Sequence, residues 1–226
     1  GVFIEQCSDI LIENCVIEDN TSADGGGIYI DNCQSSIKLN DLLVINNSST
    51  GHGGGLAAYN LNLEISNSQF SNNLSSTGGG MYFANSNIDL IYCDISLNIA
   101  ENTNNTGTGG GAMFSAYSSN SSYANIQNCT FYDNQANIIQ ANGIALAANA
   151  SLGSGIYDLN IVNSIIWENV EIINNGTVNV SYSNTQNNFA GSGNISEISN
   201  FISIDPANPN YNLLLGSPCI NSGNPS

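Results

Sequence analysis

The chain has no arginine and one lysine, Lys38, against 18 Asp and Glu, for a formal net charge of −17 over 226 residues. Neutralising a phosphate backbone takes clustered Lys and Arg, so this balance excludes ordinary nucleic-acid binding. An anionic bilayer surface would repel such a chain for the same reason. No run of about 20 apolar residues is present to cross a membrane as a helix, and no secretory leader is visible. Charged residues amount to 8%, far below the roughly 25% of ordinary soluble domains. No stretch keeps a helical period. All four prolines lie beyond residue 200, so none interrupts strand pairing before that point.

What is abundant is asparagine, 40 residues, and glycine, 23 residues, and both recur at fixed places. Gly1, Gly27, Gly55, Gly80, Gly111 and Gly143 each open a short apolar segment, at intervals of 26, 28, 25, 31 and 32 residues. About twenty residues later each stretch reaches Asn20, Asn47, Asn73, Asn98, Asn134 or Asn169. A period of this length marks a solenoid, in which a repeat buries its apolar face only against its neighbours. Disorder, the competing reading of a chain so rich in Asn, Ser and Gly, does not account for regular apolar columns.

Within a repeat, two or three short alternating segments are separated by Gly, Asn, Ser and Asp, which is strand-and-turn punctuation. Ile28–Ile30, Ile37–Leu39 and Leu43–Ile45 illustrate it. The expected fold is all-β: a right-handed parallel β-helix of about six to seven rungs, stacked at roughly 4.8 Å per rung. Four inward columns follow from period-two alternation. Two run Val2, Ile28, Leu56, Met81, Ala112, Ile144 and Ile4, Ile30, Ala58, Phe83, Phe114, Leu146. The others run Ile12, Leu39, Ile65, Leu90, Ile126, Ile161 and Ile17, Val44, Phe70, Ile95, Phe131, Ile166. The asparagines should form a ladder at one turn, since Asn tolerates turn conformations and its amide can bond the rungs on either side. The Gly pairs and triplets suit the opposite corner. Residues 1–199 are expected to be helix repeats and residues 200–226, with the prolines, a terminal cap of the same domain. The chain starts without Met and within the repeat pattern, which reads as a piece of a longer precursor.

Candidate chemistry is sparse. The acids are scattered, as Asp9, Glu13 and Glu18 on rung one and Asp89 and Asp94 on rung four show, and no two form a glycosidase-type pair. His52 stands alone before a glycine corner and is expected to face solvent. Glu18, Asp19 and Asp24 could offer calcium oxygen ligands, but solvated turn acids explain them as well, and no metal is expected. Zinc has no CxxC pair to bind it. Cys7 and Cys33 stack on adjacent rungs near a turn, leaving a disulfide and a pair of packed thiols equally open. Cys93 and Cys129 stack in another column and read as buried, inert thiols. Phe3, Tyr29, Tyr82 and Met113 share an outward column, which as an exposed aromatic stripe could stack on sugar rings or be covered by a partner.

Gly-Gly-Gly-apolar paired with Phe70-Ser-Asn-Asn73, Phe131-Tyr-Asp-Asn134 and Ile166-Trp-Glu-Asn169 resembles the repeats of chlamydial polymorphic outer-membrane proteins. It departs from them in a third Gly where that family has Ala. Asn163–Asn169, Val180–Ser183 and Gly216–Gly223 resemble the last rungs of secreted bacterial β-helix proteins of the Bacteroidota type. The resemblance implies a right-handed β-helix. It also implies a non-enzymatic extracellular or cell-surface module, structural or adhesive, whose partners are other copies of itself, glycans or cell-surface molecules. The β-helical pectate lyases open the alternative of a polysaccharide-binding or -cleaving domain. Those lyases use an Arg or Lys base, and only Lys38 is present. An ice-binding surface would need a flat threonine array, which is missing.

Overall fold

The computed structural model describes residues 1–101, 109–115, 121–136, 144–149, 157–167, 169–173 and 176–223. Among them the chain winds as a parallel β-helix with three faces. The first face is a seven-stranded sheet that starts with Val2–Glu5, Ile28–Asp31, Leu56–Tyr59 and Met81–Ala84. The second face is longer and bent. In the first two rungs it is a single nine-residue strand, Ile10–Glu18 and Ile37–Ile45. In the third and fourth it divides into Asn62–Ser66 with Gln69–Ser71 and Asn87–Ile91 with Asp94–Ser96. The third face is a ladder of two-residue strands from Thr21–Ser22 to Gln135–Ala136. Seven rungs at about 4.8 Å make a rod close to 30 Å long.

The columns pair as alternation requires. Ile12, Leu39, Ile65, Leu90, Ile126 and Ile161 are successive partners, and Val180 extends the row. Ile17, Val44, Phe70, Ile95, Phe131 and Ile166 do likewise. From rung two onward the described members of these rows are buried. Each contributes roughly 1.5–3 kcal/mol as an upper bound for burying an aliphatic or phenyl side chain. Tyr157 joins this core above the small Ser122, and its hydroxyl donates to the Ser86 carbonyl at 2.7 Å. Burial holds that phenol well above its ordinary pKa.

One register differs from expectation. On the first face Ala112 pairs with Leu146 and Phe114 with Ala148, so Ile144 is not the partner of Ala112. A shift of two residues leaves every side chain on the same face. The run Ile144, Leu146, Ala148 therefore satisfies the apolar pattern in either register. Gly143 and the side chains of Met113, Phe114, Ile144 and Leu146 lie outside the described residues.

The asparagine ladder is continuous from Asn20 to Asn134. The Oδ1 of Asn73 accepts the Asn47 backbone N–H at 3.0 Å, and its Nδ2 donates to the Val44 carbonyl at 3.0 Å. The same bonds recur from Asn47 to Asn20, from Asn98 to Asn73 and from Asn134 to Asn98. The turn itself is made one residue earlier than expected. Asp19, Asn46, Asn72, Leu97 and Asp133 hold the left-handed conformation with φ of 55–59°. The asparagine that follows is free to bond across rungs instead. Asn169 opens the strand Asn169–Ile173 on the first face, paired with Ile144, and its side chain lies outside the described set.

At the opposite corner Gly53 has φ +61°, and a Cβ there would sit 2.1 Å from the Leu56 carbonyl oxygen. Gly54 is needed for proximity: its Cβ would lie 2.5 Å from the Gly79 and Leu74 oxygens of the next rung.

Past rung seven the chain turns across the end of the core. Tyr182 donates its N–H to the Ser192 carbonyl, Ile195 pairs with Asn184, and Phe189 packs on the core. Part of the later segment, expected to be the cap, lies against the flank of the rod. Phe201–Ser203 and Asn210–Leu213 form an antiparallel hairpin there. Its Phe201 and Tyr211 enclose Tyr132 at ring separations of 5.2 and 5.4 Å. Cys219 still touches the rod's end, accepting from Asn184 Nδ2 at 3.0 Å. Residues 224–226 lie outside the described set.

Candidate functional site

The expected aromatic stripe shares one column, with Phe3 opposite Tyr29 and Tyr29 and Tyr82 both flanking Ala57. It is not an open platform. Phe3 is 69% exposed, but its ring stacks on Tyr29 at 5.0 Å and 7°, so the facing sides cover each other, and the Tyr59 ring lies 5.6 Å from Tyr29. Tyr82 is 1% exposed. The His52 ring lies 4.3 Å from it, and Ala84, Ala136 and Tyr59 pack around it. A sugar ring needs a free aromatic face. Tyr82 therefore has none to give, and Tyr29 has lost one to Phe3.

His52 does not simply face solvent. Its backbone N–H donates to Asp24 Oδ1 at 2.7 Å, and its Nδ1 lies 3.0 Å from the same oxygen. That oxygen, one of the calcium candidates, is thus already engaged. Among the described residues no three His, Cys, Asp or Glu side chains gather as a metal-binding group. Lys38 pairs with Glu64 at 3.0 Å across adjacent rungs in the open.

Cys7 and Cys33 are free thiols with sulfurs 3.2 Å apart. The hydrogen bond between the Cys7 and Cys33 thiols, and after it partial burial, raise the Cys7 pKa above the ordinary thiol value. Cys93 and Cys129 belong to a different structure. Cys129 Sγ accepts the Cys93 N–H at 3.5 Å, in a row where Ser68 Oγ accepts from Leu42, Ser164 Oγ from Cys129 and Ser183 Oγ from Ser164. This is a second buried side-chain ladder. Desolvation drives the Cys129 thiol well up, while its hydrogen bond lowers that of Cys93.

A groove of ≈ 540 Å³ follows the bend of the second face across rungs one to four. Its rim carries Val16, Asp41, Gln69, Tyr92 and Asp94. The bend is built by a left-handed residue in every rung: Asn14, Asp41, Asn67, Tyr92, Asn128, Asn163 and Tyr182. Five of these seven are the Asn or Asp that accept this conformation cheaply. Tyr182 is explained by the end of the rod, since its ring packs against Gly193. Tyr92 is 62% exposed and makes no ring contact among the described residues. Two residues on, Asp94 is exposed at the rim, and partial desolvation moves its carboxyl pKa upward, partly offset by a hydrogen bond with Thr130. This site escaped sequence reasoning, although its signal was present: Tyr92 interrupts a column that is otherwise asparagine and aspartate until Tyr182 at the end of the rod.

The outer face also carries amide rows. Asn179 donates to Asn160, Asn160 to Asn125 and Asn125 to Asp89, at 3.1, 3.1 and 2.8 Å.

A family model described as "Right handed beta helix region" matches residues 1–195. No curated protein matches the chain. No solved structure matches it either.

Proposed function

The chain belongs to the right-handed β-helix family, and from that footing we propose a non-enzymatic, extracellular structural and adhesive module of a bacterial surface or secreted protein. Its partners in this reading are copies of itself, glycans or other cell-surface molecules. The observation that carries it is the unbroken asparagine ladder from Asn20 to Asn134, which ties successive rungs through side chains as well as main chains. Stiffness along one axis is what a stalk or fibre unit requires. The charge of −17 suits a milieu where divalent cations screen carboxylates. No bound cofactor is required, so chelating calcium should leave the melting temperature unchanged. Electron microscopy of the native material should show rigid rods, single or joined end to end. Release of new sugar ends from polysaccharides by the pure protein would contradict the non-enzymatic reading.

A second reading, a polysaccharide-binding surface, is favoured by Tyr92. Holding tyrosine in the left-handed region costs of order 1–3 kcal/mol, and among the described residues no ring packs on it. An exposed aromatic between Asp41, Gln69 and Asp94 offers the stacking surface and planar polar groups that sugars use. Glycan retention in affinity electrophoresis should fall at least tenfold in Tyr92→Asn, with the fold intact. Equal retention by both proteins would remove this reading.

A further inference from the structure

The first and second rungs meet at a corner where both chains make the same turn. Gln6 and Asn32 are left-handed with φ of 52° and 53°, and Cys7 and Cys33 follow them. The rung-to-rung hydrogen bonds continue on both sides of this pair. Gln6 donates to the Asp31 carbonyl at 3.1 Å, and Gln34 donates to the Cys7 carbonyl at 3.1 Å. The two cysteines are therefore held as direct neighbours at about 4.8 Å, inside the 4.4–6.8 Å window of Cα separations that a disulfide spans. Their thiols already face each other at 3.2 Å. Closing that gap to a bond asks for a movement of about 1 Å, at a turn rather than within a sheet.

We propose that Cys7 and Cys33 form a disulfide that staples the first rung to the second. The expectation of an oxidising milieu rests on the extracellular reading above, whereas the capacity to cross-link does not. Exposure sets the order of events, because Cys7 is half-buried and Cys33 is 3% exposed. The Cys7 thiolate attacks a sulfur of a small disulfide such as oxidised glutathione and expels one glutathione thiolate. The Cys33 thiolate then attacks Cys7 Sγ and expels the second. Two protein thiols are oxidised by two electrons and one glutathione disulfide is reduced to two thiols, which take up the two protons. The raised pKa of Cys7 makes the first step faster as pH rises.

The other cysteines lack these conditions. Cys93 and Cys129 are 1% exposed, and their sulfurs bond carbonyls on both sides: Ile65 and Ile91 for one, Leu90 and Gln127 for the other. Cys15 is exposed, but its partner position on rung two is Leu42. Cys219 lies near Asn184 and Ser199 at the far end of the rod.

The test equilibrates the protein with excess oxidised glutathione, alkylates remaining thiols and maps peptides by mass without reduction. The expected product contains one cross-linked peptide pair joining Cys7 to Cys33, about 2 Da lighter than the sum of the two reduced peptides. Cys7→Ser and Cys33→Ser should each abolish it, and Cys129→Ser should leave it. Amide exchange in Val2–Glu5 and Ile10–Glu18 should slow at least tenfold on oxidation and recover with reductant. A stable glutathione adduct on Cys7, pairing with Cys15, or full alkylation of both thiols would overturn the proposal. Unchanged exchange in a cross-linked sample would overturn its role as a staple. None of these outcomes depends on glycan binding or filament formation, so failure here and failure of the functional reading are separable.

Discussion

A buried asparagine is the residue on which each rung depends. Asn73 is 1% exposed and its amide serves three rungs: it accepts from Asn47 and donates to Val44 and to Asn98. Asn73→Ala strands the Asn47 N–H and the Val44 carbonyl away from water. At about 1–3 kcal/mol per orphaned group, the loss should be about 3–5 kcal/mol. Urea titration followed by circular dichroism would measure it. Asp94 offers a test of opposite sign. Its folded-state pKa is raised above the unfolded value, so it favours folding in full only below the unfolded pKa, and that contribution is lost as pH rises through the folded pKa. Asp94→Asn should therefore stabilise the protein near pH 7 and give no gain near pH 3. A constant difference across that range would show that the carboxyl is not desolvated.

At the scale of one turn of the coil, corners matter more than strands. The strands of the third face have only two residues, and their Ser49 and Ser75 hydroxyls donate to the carbonyls of His52 and Thr77. The corner before the asparagine ladder takes Asp19, Asn46, Asn72 and Asp133, with Leu97 the exception at φ 59°. A leucine there lacks the local hydrogen bonding that lets Asn adopt this conformation. Leu97→Asn should raise stability by about 1 kcal/mol, which a thermal melt would register. Much of this level is legible in sequence, because period-two alternation and glycine spacing both survive stacking. Two details are not. The register of Leu146 against Ala112 is invisible because a two-residue slip keeps the pattern. The assignment of the turn to Asn46 rather than Asn47 is invisible because both are asparagine.

Over the whole molecule, order comes from repetition with neighbours, so stability is a sum of rung and interface contributions. Loss of the Asn73 bonds should therefore loosen rungs two to four before the far end of the rod. The inside of the rod is readable from sequence because one rule governs every rung. The outside is not, because an outward column constrains its members little. Phe3, Tyr29 and Tyr82 align as expected, yet stacking and the His52 ring decide which faces are free. Tyr92 stands out only against the left-handed column around it. The single cation, Lys38, pairs with Glu64 in the open, a contact worth about 0–1 kcal/mol, so it contributes little to holding the rod together.

The most direct measurement is nuclear magnetic resonance of the asparagine side-chain amides, with Overhauser contacts recorded between rungs. The amides of Asn47, Asn73, Asn98 and Asn134 should exchange slowly, and each should contact the next in that order. Rapid exchange, or absence of the Asn47–Asn73 and Asn73–Asn98 contacts, would contradict a coil built on stacked like residues.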